Sequence, residues 1–582
     1  MVRPLPFGTI GATEGRASRE RMATSDLIDR RAPARHGTYP WLTGFVFAMA
    51  AIVLLPVLSL GLVALSGSSD IWPHLIENVL PRAALTTLAL LVMVALGAAI
   101  IGVVTAWLVV VFDFPMRKTL SWALVLPLAV PPYLAAYGFA EFFHYSGPVQ
   151  SLIRSVFGFQ TIHDYWFPDI RSTGGAALVL TAVLYPYVYL TTRVIFLMQG
   201  RNIGDVARTL GARPGKVFLR VLLPVTRPAI IAGVALVLME TVNDIGASEY
   251  LGVRTLTFSV YSTWLNRGSL EGGAQVALII LALVIVLLFL EQQSRKRQRF
   301  HNNRGTQLHA HNPRIRLVGW RRWTAMAITI SPIMLGFGIP VYVFAQYAAR
   351  RLDQFVTPEL GKAFLTSLST ATATSLITVA IALVLINAVR MTRSSSMAVL
   401  VRIASLGYAL PGGILGLGLF IALTRFDNTL DRFLRAEFDI STGLLISGSA
   451  AAVVLGCTIR FLALAEGAVR SGMDKLPPHL EEAARNLGRT PAQSAFSIVL
   501  PLLHPAILTA MVLVFVDTVK ELSATILLRP FGFNTLATFV YEQASRSAPQ
   551  DGAAAALVII ATAMVPVIIL SNALARDREA SL

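Results

Sequence analysis

Long apolar runs alternate with short polar breaks along most of this 582-residue chain. The first extends from about Trp41 to Ser66, and others follow near residues 83–111, 119–143, 175–199, 221–246 and 274–290. A polar stretch at 291–323, with nine Lys/Arg and one Glu, interrupts the series. A second series falls near 324–347, 362–389, 397–424, 442–464, 498–527 and 553–572. A bilayer core of about 30 Å takes roughly 20 apolar residues of helix to cross. Each run therefore predicts one spanning helix, and the expected fold is an all-α, polytopic membrane protein with about twelve transmembrane helices. The expected divisions are a disordered polar tail at 1–40, a first bundle at 41–290, a basic linker at 291–323 and a second bundle at 324–582. The first apolar run begins too late and is too long for a cleaved signal peptide.

The two series are copies of each other. A shift of 277 lays VARTLGARPGKVFLRVLLPVTRPAI (206–230) on AARNLGRTPAQSAFSIVLPLLHPAI (483–507) without a gap, with ten of the 25 positions identical. A shift of 280 lays Ala129, Pro131 and Gly138 on Ala409, Pro411 and Gly418. Six spans per half is an even number, so both halves enter the membrane the same way. This is a parallel repeat, unlike the inverted repeats of many secondary transporters. A secondary transporter is the competing class, and the parallel repeat counts against it.

Composition adds orientation and removes several functions. Only 14% of residues are charged, against roughly 25% in a soluble domain. The net charge of +17 could suggest nucleic acid. However, the basic residues cluster at span ends, as membrane topology requires. With the N-terminus inside, most of the 49 Lys and Arg fall on the cytoplasmic side, which predicts both termini in the cytoplasm and no nucleic-acid partner. The single cysteine, Cys457, lies in an apolar run and rules out disulfides and thiolate clusters. The nine histidines are scattered, with His301, His309 and His311 in the basic linker. No nucleophile–base spacing or ligand cluster stands out, so neither an enzyme nor a stably bound metal or cofactor is expected.

The polar segment EAARNLGRTPAQSAFSIVLP (482–501) lies between two apolar runs. Its acidic start, alanines, glycine and Pro491 read as a short helix that ends sharply. From the residues alone it could be an ordinary loop helix. The pattern EAA-x3-G-x9-I-x-LP, filled by Glu482, Ala483, Ala484, Gly488, Ile498, Leu500 and Pro501, resembles the signature loop of ABC importer permeases. The first half carries a milder version in Asp205, Ala207, Gly211, Val221, Leu223 and Pro224. The resemblance implies a type I ABC importer permease fold in an inner membrane. It also implies that both loops are coupling helices and that two cytoplasmic ATPase subunits dock there. The nearest phosphate-loop-like stretch in the chain, Gly211 to Val217, is one residue short and has valine in place of Ser/Thr. Energy must come from another polypeptide.

Two further features sit inside predicted spans. Pro131 and Pro411 break the third span of each half, either to line a pathway or only to pack. The fifth spans carry Glu240 and Asp244, aligned with Asp517 and Glu521. Each pair is spaced i,i+4, which predicts a shared helix face. A carboxylate within a span costs at least ~2.5–3.5 kcal/mol, so it faces a cavity or a partner. One reading is a two-layer acidic funnel between the halves. The other is a structural ion-pair network with Lys520 and Arg529. The surroundings, METVND and KELSATILLRPFGF with Thr535-Leu536-Ala537, are similar to the fused ferric-iron importer permeases. That resemblance covers about 45–575 and implies a periplasmic ferric-binding protein as partner. Thiamine permeases look similar, and polyamine or phosphonate importers are more distant.

Overall fold

The computed structural model describes residues 40–66, 72–198, 214–296, 314–392, 394–477 and 488–579, with Leu480, Ala484 and Asn486. The first half contributes helices α1 (Pro40–Leu65), α2 (Leu80–Val111), α3 (Pro132–Phe143), α4 (Thr173–Met198), α5 (Leu223–Asn243) and α6 (Leu270–Lys296). The second contributes α7 (Ile339–Arg350), α8 (Pro358–Thr392), α9 (Gly412–Phe438), α10 (Ala450–Met473), α11 (His504–Val519) and α12 (Ala553–Glu579). Nine helices among the described residues are long and apolar enough to cross a membrane, and three bent pairs bring the count to twelve. The expected number of spans stands on that basis. A two-residue parallel bridge, Phe112–Asp113 with Ile315–Arg316, holds the end of the linker against the end of α2.

The third span of each half is the most distorted. Arg117–Ala129 and Pro132–Phe157 meet at 97°, and Ser395–Ala409 and Gly412–Phe438 meet at 111°. The local cause is the same twice. A residue before proline is pushed out of the helical region, and Val130 (ψ 111°) and Leu410 (ψ 124°) are both extended. Pro131 and Pro411 follow with ψ of 145° and 134°. Two successive extended residues turn a kink into a corner. The next residue differs between the halves. Pro132 has no N–H to satisfy, whereas the freed N–H of Gly412 donates to Asn243 Oδ1 of the other half at 2.5 Å.

The first helix of each half packs on the opposite half. On α1, Leu42, Val46, Ala50 and Val53 recur at helical spacing and join the core formed by α8, α9, α10 and α11. Leu55, Leu58 and Leu62 point the other way and are exposed. In a bilayer such burial gains packing rather than water exclusion, because lipid tails are as apolar as leucine. Close approach is permitted by a repeated glycine. A Cβ at Gly138 would come within 2.9 Å of Pro340 Cα, and one at Gly418 would overlap the Pro56 carbonyl. Ser59 Oγ donates to the Gly418 carbonyl oxygen at 2.6 Å across this contact. Symmetrically, Ile339, Phe344 and Ala348 of α7 join the core of the first half with Tyr137 and Phe139.

Candidate translocation site

The fifth spans end earlier than their apolar runs suggest. Helix α5 stops at Asn243 and α11 at Val519. Asp244 is already non-helical, at φ −73° and ψ 122°. The expected shared helix face is therefore corrected: each helix ends between the two carboxylates of its pair. The physical reason is the short helix that follows. Asp244 accepts from the N–H groups of Ala247 (3.3 Å) and Ser248 (2.9 Å) and from Ser248 Oγ (3.1 Å). Glu521 Oε1 accepts from Ala524 N–H at 2.8 Å. Free N–H groups at a helix start attract carboxylates, and these two serve Gly246–Tyr250 and Thr525–Leu528. Glu240 and Asp517 remain on their helices, one turn back.

All four carboxylates line one cavity of about 110 Å³ between the halves, together with Pro131, Tyr133, Tyr187, Tyr408, Arg460 and Lys520. Pro411 is not among its lining residues and acts one step away, through Gly412. Two of the four carboxylates are ion-paired, one of them with Lys520 as the alternative reading expected. Lys520 Nζ lies 2.7 Å from Asp517 Oδ1, and Arg460 Nη1 lies 3.1 Å from Glu521 Oε1. Glu240 Oε1 takes its hydrogen bond from the neutral phenol of Tyr408, at 3.2 Å. Four carboxylates against two cations leave two formal negative charges. Arg529, the other expected cation, pairs with Glu542 at 2.7 Å and lies outside the cavity lining.

Arg460 is the residue that the sequence reading missed. Its signal was present, a cation inside the apolar run Gly456-Cys457-Thr458-Ile459-Arg460-Phe461. Tyr408 and Tyr187 gave none, since an aromatic residue in an apolar run is ordinary. The repeat explains an asymmetry. Val183 and Asn243 occupy the positions equivalent to Arg460 and Lys520, so both cations come from the second half.

The motif at 482–501 is described in part. Asp205, Ala207, Gly211, Glu482 and Ala483 lie outside the described residues. Ala484 is buried, and Gly488 has φ +82°. Arg489 N–H donates to Ala484 O at 3.1 Å, the six-to-one bond of a Schellman helix end. A Cβ at 488 would meet open space, so glycine is required there by backbone conformation, not by crowding. The chain restarts at once. Thr490 N–H donates to Gln493 Oε1 (3.0 Å) and Gln493 N–H to Thr490 Oγ1 (3.3 Å), a capping box with Pro491 as first helical residue. One π-helical turn follows in each half, at Phe218–Leu222 and Ala495–Val499, again 277 apart.

Two interlocked parallel bundles, a charged cavity at their seam and a glycine turn at 488 followed by a capped helix start define a membrane transport permease. The chain belongs to the family described as binding-protein-dependent transport system inner membrane component, which matches residues 98–300 and 380–578. Among its relatives is the Fe(3+)-transport system permease protein FbpB 2 of Haemophilus influenzae (strain ATCC 51907 / DSM 11121 / KW20 / Rd). It is 23% identical over 84% of this chain and 88% of its own length. The sulfate transport system permease protein CysW of Escherichia coli K12 is 29% identical over 45% of this chain and 89% of its own. The molybdenum transport system permease protein ModB of the same strain is 28% identical over 33% and 82%. The sulfate and molybdenum permeases thus match about half of this chain or less.

Proposed function

We propose that this chain is the membrane subunit of an ATP-driven importer that moves ferric iron. The observation that carries the reading is the charge of the cavity. An oxyanion needs free cations or amides, and here Arg460 and Lys520 are each already held by a carboxylate. The remaining charge is negative, and carboxylate oxygens are hard donors suited to a hard cation. A transported ion must be held loosely enough to leave, which a partly neutralised site favours over four free carboxylates. The ferric relative also spans both halves in one chain, as this protein does. On this reading the chain works within a larger assembly. A substrate-binding protein delivers iron on the periplasmic face. Two ATPase subunits dock on the segments 205–224 and 482–501, with both termini on that cytoplasmic side. Uptake of radiolabelled Fe(III), sulfate and molybdate by cells with and without the gene tests the reading. Iron uptake should depend on the gene, whereas gene-dependent uptake of either oxyanion would overturn it.

A further inference from the structure

Tyrosines from both halves form a file beside the cavity. Its inner end is Tyr133, which lines the cavity and whose buried hydroxyl has no hydrogen-bond partner. Only 4% of that residue is exposed. Buried polar groups are almost always paired, so an unpaired hydroxyl in the wall of a cavity points to a visitor. Tyr137 stacks edge-on next to it at 5.9 Å between ring centroids, and Tyr250 packs on Tyr137 at 4.4 Å. Tyr137 is also within electrostatic reach of Glu249 and Tyr541. At the outer end, Tyr541 Oη donates to Glu249 Oε2 at 2.8 Å, bridging the two halves, and also meets Tyr261. Glu249, Tyr250, Tyr261 and Tyr541 are half-buried, whereas Tyr133 and Tyr137 are fully buried. The file therefore runs from partly exposed residues to the cavity.

Among the described residues no three His, Cys, Asp or Glu side chains converge as a metal site. The oxygen donors here are mainly phenols, a ligand type that suits ferric iron. We propose that this tyrosine file receives a hard trivalent metal cation, with Glu249 and Tyr541 as its outer station and Tyr133 as its inner one. The proposal rests on the ferric reading of the cavity. At the outer station the metal–oxygen bond forms at Tyr541 Oη as its O–H bond and one bond from the metal to its carrier break, and the proton moves along the existing hydrogen bond to Glu249. No electron is transferred. Release reverses the step, so the metal leaves as it came.

The test uses the purified full-length permease titrated with Fe(III) nitrilotriacetate. Iron(III)–phenolate bonds absorb visible light by charge transfer, whereas iron(III) on carboxylates alone does not. The wild type should develop this absorption. Tyr541→Phe with Tyr261→Phe should weaken it at least tenfold and slow iron uptake. If the double variant fails to accumulate, Glu249→Gln takes its place, and undiminished absorption in that variant overturns the proposal. So does absent absorption in the wild type, or wild-type iron uptake by the double phenylalanine variant. That last result leaves the ferric reading of the cavity standing. Gene-dependent uptake of sulfate in place of iron removes both.

Discussion

Arg460→Leu would strand Glu521 in the cavity wall. The pair is almost fully buried, at 9% and 6% side-chain exposure. Breaking such a pair costs about 3–5 kcal/mol, so a clear drop in the detergent melting temperature is expected. Lys520→Met should cost well under that, since its pair with Asp517 is 29% and 24% exposed. The carboxylates should also separate into two kinds. Glu240→Gln with Asp517→Asn should lower iron uptake at least tenfold at normal membrane level. Asp244→Asn with Glu521→Gln should lower the membrane level too, because these two hold the starts of the next helices. Equal protein levels for both double variants would contradict that division. At this scale the sequence made the four acidic positions legible, because a carboxylate in an apolar run is conspicuous. Their partners were not, since Tyr408 and Arg460 come from spans that only the fold brings together.

At the scale of elements, hydropathy located the spans and the repeat paired them, but neither could say where a helix stops within its apolar run. Helices α5 and α11 end at carboxylates that serve the following short helix, and those contacts depend on chain direction, not on hydrophobicity. The prolines did mark the corners of the third spans. Their size, near a right angle, comes from two extended residues in succession. Asn243→Leu should leave the Gly412 N–H unsatisfied at that corner, at a cost of about 1–3 kcal/mol. Thermal melting with Asn243→Asp as a rescue checks this, since aspartate keeps the acceptor. Gly488→Val forces a branched side chain into the left-handed region, costing about 1–2 kcal/mol. The motif helix should lose its end, and ATPase co-purification should fall while insertion stays normal. Unchanged co-purification would separate this turn from docking.

For the whole molecule, the exchanged first helices matter most. The repeat showed two halves, yet nothing in it showed that α1 belongs to the core of the other half. That follows from Gly418 against Pro56 and Gly138 against Pro340, small residues whose partners are distant in sequence. Gly418→Val should drive its side chain into the Pro56 backbone, with an overpacking cost of about 1–3 kcal/mol read as a lower melting temperature. The exchange also has a consequence in time. Ser59 must wait for Gly418, 359 residues later in the chain. At ~5–20 residues per second of synthesis, that is a delay of roughly 20–70 s. During it the Leu42–Val53 face of α1 is turned to lipid, and the protein becomes one object only when its second half arrives.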